Sequence, residues 1–224
     1  MLKGNSGAEL VDTVTKFHHE AAIEGYFCQH LGDGVCPTVY NISQGFSSME
    51  KLEEIQPYEG ILLAVENILD SYVWSRPTQN YDVSGQMNYI EFLASMRIKI
   101  PDWAIPKEFC LIHGDPTVSN VMMRREDKRL ILIDPRAPNG HIPSWKAVDM
   151  GKILQSYWGW EHVAYGTPYI EYDAPVFCSD PDLMRQANFW CFYHVARIEQ
   201  LEISRGLNRP NILAWCDSVM EKVA

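Results

Sequence analysis

Apolar positions near the start of the chain recur at helical spacing: Leu10, Val14, Phe17, Ala21 and Gly25 fall three or four residues apart. One amphipathic helix from Ala8 to about Leu31 satisfies that period. The turn signal Gly32-Asp33-Gly34 ends it, and the stretch from Cys36 to Ile42, with Val39 and Ile42 among polar neighbours, predicts a strand. Gly45 to Glu50 then carries the chain into a further strand or a crossover. The period turns helical from Gly60 to Tyr72 and again from Gly85 or Gln86 to Arg97, with Arg76 to Asn80 as a loop between. Pro101 and Pro106 break the chain before a short apolar run, Phe109 to Ile112, that predicts a buried strand. Leu130 to Ile133 repeats that signal, and Arg125 to Lys128 forms the turn joining it to Val121–Met123. Beyond Asp149 the pattern is helical, above all over Asp182 to Ile203 and Pro210 to Ala224. The order predicts a little sheet at the front and a helical body behind.

Size and composition narrow this picture. A chain of 224 residues and 25.7 kDa suits one well-buried domain, or a small lobe packed on a larger one, and one site. With 46% hydrophobic and 21% charged residues, neither a disordered nor a fibrous chain is expected. The net charge of −10 argues against nucleic acid as a partner, because such binding rests on neutralising phosphates. It favours cationic small molecules, and an anionic substrate would need a local basic site. Six cysteines occur without a CxxC pair or zinc-ligand spacing, which predicts reduced, mostly buried thiols. No signal-peptide core and no apolar run near the ~20 residues of a membrane helix is present, so a cytoplasmic protein without a membrane partner is expected.

The chemistry concentrates in LIHGDPTVSNVMMRREDKRLILIDPR. Asp115 follows one apolar run, Asn120 comes five residues later, and Asp134 ends a second apolar run fourteen residues after that. Two short strands joined by a turn would bring Asp134 back beside Asn120. An amide oxygen and a carboxylate suit Mg²⁺, a hard cation that takes few protein ligands and shares the rest with water and phosphate. Asp115 is then free to accept a proton from an attacking hydroxyl. These are the parts of a phosphoryl-transfer site.

The pattern HGDxxxxN, followed by an apolar strand and an Asp, resembles the aminoglycoside phosphotransferase and choline kinase group, small-molecule kinases with a protein-kinase-like fold. The resemblance implies Asp115 as catalytic base, Asn120 and Asp134 as magnesium ligands, and His113 as a structural residue of the catalytic loop. Asp149 looks like the helix aspartate that braces that loop. The spelling HGDPTVSN with IDPR is closer to members associated with cell-surface sugar and capsule metabolism, and Arg136 is placed to meet a phosphate or a substrate carboxylate, or else to stay at the surface or pair with the loop.

At the front the match is partial. In such folds a strand Lys pairs with a Glu of the next helix and reaches the nucleotide phosphates. Lys3 and Glu20 have a similar spacing, whereas Lys16, four residues before Glu20, reads as its surface partner on one helix. Met1 and Leu2 before Lys3 are too short for the Gly-rich loop of such folds, so a reduced front lobe is expected. Gly45 to Leu52 resembles the linker that bonds adenine through its backbone, with Met49, Glu50, Lys51 and Leu52 along the pocket.

The expectation is therefore an α+β, protein-kinase-like fold with a reduced N-terminal lobe and hinge over residues 1–52, carrying a small antiparallel sheet, and a mostly helical C-terminal lobe over 53–224. Its expected activity is ATP- and Mg²⁺-dependent transfer to a hydroxyl of a sugar, amino sugar or amino alcohol, with GTP as the other candidate donor. The rival is a non-catalytic, pseudokinase-type nucleotide- or ligand-binding module, and protein phosphorylation ranks last. A homodimer, or a separate partner, is expected to cover the reduced lobe. Several other features favour bland readings: His18-His19 as surface residues, Trp158, Trp160, Trp190 and Tyr193 as core, and Glu161, Glu171, Asp173, Asp180 and Asp182 as a solvated acidic face.

Overall fold

A computed structural model describes residues 13–17, 21–44, 46–76, 101–104, 109–135, 145–207 and 209–223. The chain is mixed α/β and mostly helical, with two small antiparallel sheets. The first sheet has the order β1-β3-β2, from Thr13–Phe17 (β1), Val39–Ser43 (β2) and Phe46–Glu50 (β3). The second has the order β4-β5-β6, from Glu53–Glu54 (β4), Val121–Met123 (β5) and Leu130–Leu132 (β6). Only Lys51 and Leu52 separate β3 from β4.

The single long helix expected from Ala8 to Leu31 is not formed. Its described part divides into strand β1 and helix α1, Ala21–Leu31. The strand segment reads TVTKF, and three of its five residues are β-branched, which stiffens χ1 and favours a pleated surface over a helix. The apolar spacing fits a helix, but local preference and pairing with β3, Thr13↔Glu50 through Phe17↔Phe46, decide the outcome. Helix α1 ends as expected at Gly32, which has φ +89° and donates its N–H to the Cys28 carbonyl at 2.9 Å.

Within the stretch from Gly45 to Leu52, Phe46–Glu50 is the central strand of the first sheet, in line with the further strand expected there, and Lys51 and Leu52 connect it to the second sheet. The run Phe109 to Ile112 is no regular strand: only Cys110 makes an isolated bridge, although Cys110, Leu111 and Ile112 are buried. Helix α2, Ile61–Leu69, continues into a π-helical turn, Asp70–Trp74. The helix expected near residues 86–97 lies outside the described residues.

The rear of the chain is built from α3 (Lys146–Tyr157), α4 (Trp160–Tyr165), α5 (Pro181–Ser204) and α6 (Pro210–Val223). Asp180 caps α5 by accepting from the N–H groups of Asp182 and Leu183, with Pro181 opening the helix. Trp190 and Tyr193 are core, and Trp158 and Trp160 are half-buried against it. All six cysteines are free, five of them buried and Cys178 half-buried. Among the described residues no helix is long and apolar enough to cross a membrane.

Helices α3 and α5 meet at Gly151. A Cβ there would lie 2.6 Å from the Cys191 nitrogen and the Trp190 carbonyl carbon, both backbone atoms that cannot swing aside. Gly151→Ala is therefore expected to destabilise the protein by about 1–3 kcal/mol or more, through forced separation of the two helices. Denaturant unfolding of the two proteins measures it. Because α3 also carries the residues that hold the candidate site, the spacing of these helices matters to chemistry as well as stability.

Candidate active site

Asp115, Asn120 and Asp134 are brought together by the β5–β6 hairpin and the turn before it. Val121 pairs with Leu132, and one step outward the Ile133 N–H donates to the Asn120 carbonyl at 2.9 Å. Asn120 thus stands opposite the residue next to Asp134. The segment from Asp115 folds back on itself: the Thr117 N–H donates to the Asp115 carbonyl at 2.8 Å, and the Asn120 N–H donates to the Thr117 carbonyl at 2.9 Å. The Asn120 amide nitrogen also donates to the Asp115 carbonyl at 2.8 Å. With its nitrogen so engaged, the amide presents its oxygen as the acceptor atom.

Asp134 has φ +54°, in the left-handed region that costs a non-glycine residue roughly 1 kcal/mol or more and that Asp and Asn tolerate best. The chain accepts that cost two residues beyond the end of β6, where Asp134 follows Ile133 opposite Asn120. One carboxylate and one amide oxygen form a hard donor set with room left for water and phosphate oxygens, which fits Mg²⁺. Among the described residues no group of three or more His, Cys, Asp or Glu that could hold a metal occurs, so the candidate ligands here are this pair.

His113 is fully buried, and burial lowers its pKa to about 4 against the opposing pull of Asp115 and Asp134. The ring is neutral at physiological pH. Its Nδ1 accepts a long bond of 3.4 Å from the Asp115 N–H, which leaves the proton on Nε2, a buried atom with no partner among the described residues. A neutral, inaccessible imidazole shapes the loop and does not shuttle protons to a substrate.

Asp149 braces this loop from α3. Its Oδ2 accepts from the His113 N–H at 2.8 Å, and its Oδ1 accepts from the Gly114 N–H at 2.7 Å. A third donor, the Trp74 indole N–H at 3.1 Å from Oδ2, went unnoticed in the sequence and is delivered by the π-helical turn after α2. Burial raises the Asp149 pKa to about 6, while the three donors hold it down.

The sign follows from that balance. Folding raises this pKa, so the contribution of Asp149 to global stability is most favourable below the unfolded value and declines as pH rises through about 6. The loop behaves oppositely, because only the carboxylate accepts all three bonds, and its order is lost as pH falls through about 6. Trp74→Phe removes one donor and is expected to move this loss to higher pH. Amide-exchange protection at His113 and Gly114, followed by NMR from pH 5 to 8 in both proteins, reads the shift; coincident profiles would show that the indole does not hold the brace.

Glu161, grouped by sequence with a solvated acidic face, is instead buried behind the loop. Its Oε1 accepts from the Ser156 hydroxyl at 2.8 Å and the Ser119 N–H at 3.3 Å, and Ser156 Oγ accepts from the Val118 N–H at 3.0 Å. Burial pushes its pKa up. Glu171, Asp173, Asp180 and Asp182 are exposed, as expected.

At the front, Lys16 lies on strand β1 and not on a helix, which corrects its reading as a surface i,i+4 partner. The next helix carries Glu24 in its first turn. Lys3, Glu20, His18, His19 and Arg136 lie outside the described residues. Of the residues placed along the adenine pocket, Met49 and Leu52 are buried and Lys51 is exposed. Glu50 is committed elsewhere. Arg124 Nε donates to its Oε1 at 2.8 Å, the Thr38 N–H donates to its Oε2 at 3.1 Å, and Arg124 Nη1 reaches the Asp33 carbonyl at 2.9 Å.

No protein-family model matches the chain, and no curated protein does. Among solved structures, one described as a "putative fructosamine-3-kinase" from Thermobifida fusca aligns with TM-score 0.49 and 14% sequence identity, covering 89% of this chain and 79% of that one. A likeness this loose leaves the chemistry to be read from the site's own geometry.

Proposed function

We propose that the protein is a small-molecule kinase, with a protein-kinase-like division into a small lobe over residues 1–52 and a helical lobe over 53–224. It transfers the γ-phosphoryl group of ATP, or of GTP, to a hydroxyl of a sugar, amino sugar or amino alcohol. The observation that carries this reading is the convergence of Asp115, Asn120 and Asp134 on one hairpin, with the Asp115 loop fixed by bonds to Asp149. Asp115 accepts the acceptor's proton. Asn120 and Asp134 hold Mg²⁺, which when bound neutralises charge on the nucleotide phosphates.

The strand that would carry the phosphate-side cation is β1, which holds Lys16, and the helix that would carry its acidic partner is α1, which holds Glu24. In support, β1 carries Lys16 antiparallel to β3, opposite Ser47, and α1 follows directly with Glu24 in its first turn. A strand lysine followed by a helix glutamate is the arrangement that kinases use at the α- and β-phosphates. Adenine would bond to the backbone around Lys51, since the neighbouring side chains are buried or paired. A homodimer contact along the first sheet is proposed as well, because β1 is an edge strand among the described residues.

Calorimetric titration with ATP and GTP, with and without Mg²⁺, followed by an acceptor screen for release of the nucleoside diphosphate, tests the reading. Mg²⁺-dependent binding and release with a hydroxylated acceptor are expected. Metal-independent binding without turnover of any acceptor would mark a non-catalytic nucleotide-binding module.

A further inference from the structure

Helix α3 presents a second charged residue to the catalytic loop. Lys152 follows Asp149 by three residues, so the two lie on one face of the helix. Its ammonium is 3.0 Å from Asp115 Oδ1, with the two side chains only 15% and 13% exposed. The segment from His113 to Asn120 contains no Lys or Arg of its own. Arg124, just beyond β5, is turned away to Glu50 and Asp33.

Two carboxylates, Asp115 and Asp134, border the place where a highly charged phosphoryl group would be transferred, and a third, Asp149, lies buried behind the loop. Metal held at Asn120 and Asp134 answers the charge on that side. On the acceptor side the carboxylate of Asp115 and the phosphoryl oxygens would repel each other, and a preorganised cation in a partly dry site is the effective remedy. Lys152 places one there.

We propose that Lys152 is a catalytic residue of the phosphotransfer site: its ammonium pairs with Asp115 at rest and contacts the equatorial oxygens of the phosphoryl group in transit. This rests on the phosphotransfer reading above. The acceptor oxygen forms a bond to the γ-phosphorus as its proton passes to Asp115. The bond from that phosphorus to the β–γ bridging oxygen breaks, and its electron pair leaves on the nucleoside diphosphate. Lys152 keeps its proton throughout and supplies charge alone.

The test needs no acceptor. Aluminium fluoride with Mg–ADP imitates the transferring phosphoryl group, and its tightening of Mg–ADP binding is measured by calorimetry in the full chain and in Lys152→Met and Lys152→Arg. In the wild type a tightening of about 10-fold or more is expected, reduced by at least about 10-fold in Lys152→Met and largely kept in Lys152→Arg, with affinity for Mg–ADP alone within about 3-fold in all three. A purely structural lysine would lower Mg–ADP affinity and melting temperature together and leave the ratio unchanged. Equal tightening in the wild type and Lys152→Met, or none in a wild type that binds Mg–ADP, overturns the assignment. A wild type that binds no Mg–nucleotide overturns the phosphotransfer reading and this inference with it.

Discussion

Asp115→Asn is expected to lower turnover by about 10²–10⁴-fold, the range that general-base assistance contributes, while nucleotide affinity stays within a few fold. The substitution keeps the size of the side chain. It also preserves the backbone carbonyl to which Thr117 N–H and the Asn120 amide donate, so the loop keeps its scaffold. What disappears is the carboxylate proposed to receive the acceptor's proton, which pairs with Lys152. Steady-state release of nucleoside diphosphate, paired with calorimetry of Mg–ATP, separates the two quantities. Near wild-type turnover in the variant would remove Asp115 from the role of base.

A comparable loss is expected at Asp134, but in binding. Asp134→Ala removes the one charged member of the proposed pair of metal ligands, and Mg²⁺-dependent nucleotide affinity should fall by roughly 10-fold or more, the scale on which loss of a single supporting group is felt in metal sites. Alanine at φ +54° adds a backbone penalty of its own. Asp134→Asn is the better companion variant, since Asn accepts the left-handed conformation and differs mainly in charge. If both variants lose the Mg²⁺ dependence, the charge is responsible; if only the alanine variant does, the turn is.

The hairpin around Asn120 was legible because its logic is local. Asn120 and Asp134 flank one hairpin whose strands are short, apolar and joined by a polar turn, and Asp115 lies in the turn just before it, so their proximity in the chain could be read from spacing. The front of the chain was less legible. The positions Val14, Phe17, Ala21 and Gly25 keep helical spacing across a boundary where Thr13–Phe17 pairs with β3, and long-range pairing leaves no periodic trace. Lys16 was misread for that reason. Trp74 and Lys152 were missed because they reach the loop from elements distant in sequence. Lys152 did leave a signal: a residue one turn beyond a loop-bracing Asp149 faces the same loop. Glu161 left none, since burial of an acid between Ser156 and Ser119 depends on how α4 seats behind the catalytic turn.

Arg124 lies outside the proposed metal ligands and base, yet it ties three pieces of chain together. It holds Glu50 at the end of β3, the carbonyls of Asp33 and Cys36 between α1 and β2, and its own position at the end of β5. The guanidinium and the Glu50 carboxylate are only 10% and 12% exposed. Separating them would leave a desolvated charge on either side, which is costly. The two sheets consequently lack a cheap way to come apart: loosening the first one strips Arg124 of its partner and disturbs the hairpin that carries Asn120 and Asp134. Fraying of the first sheet is thereby coupled to loosening of the hairpin beside Asn120 and Asp134, so the two sheets are expected to open together more readily than one at a time.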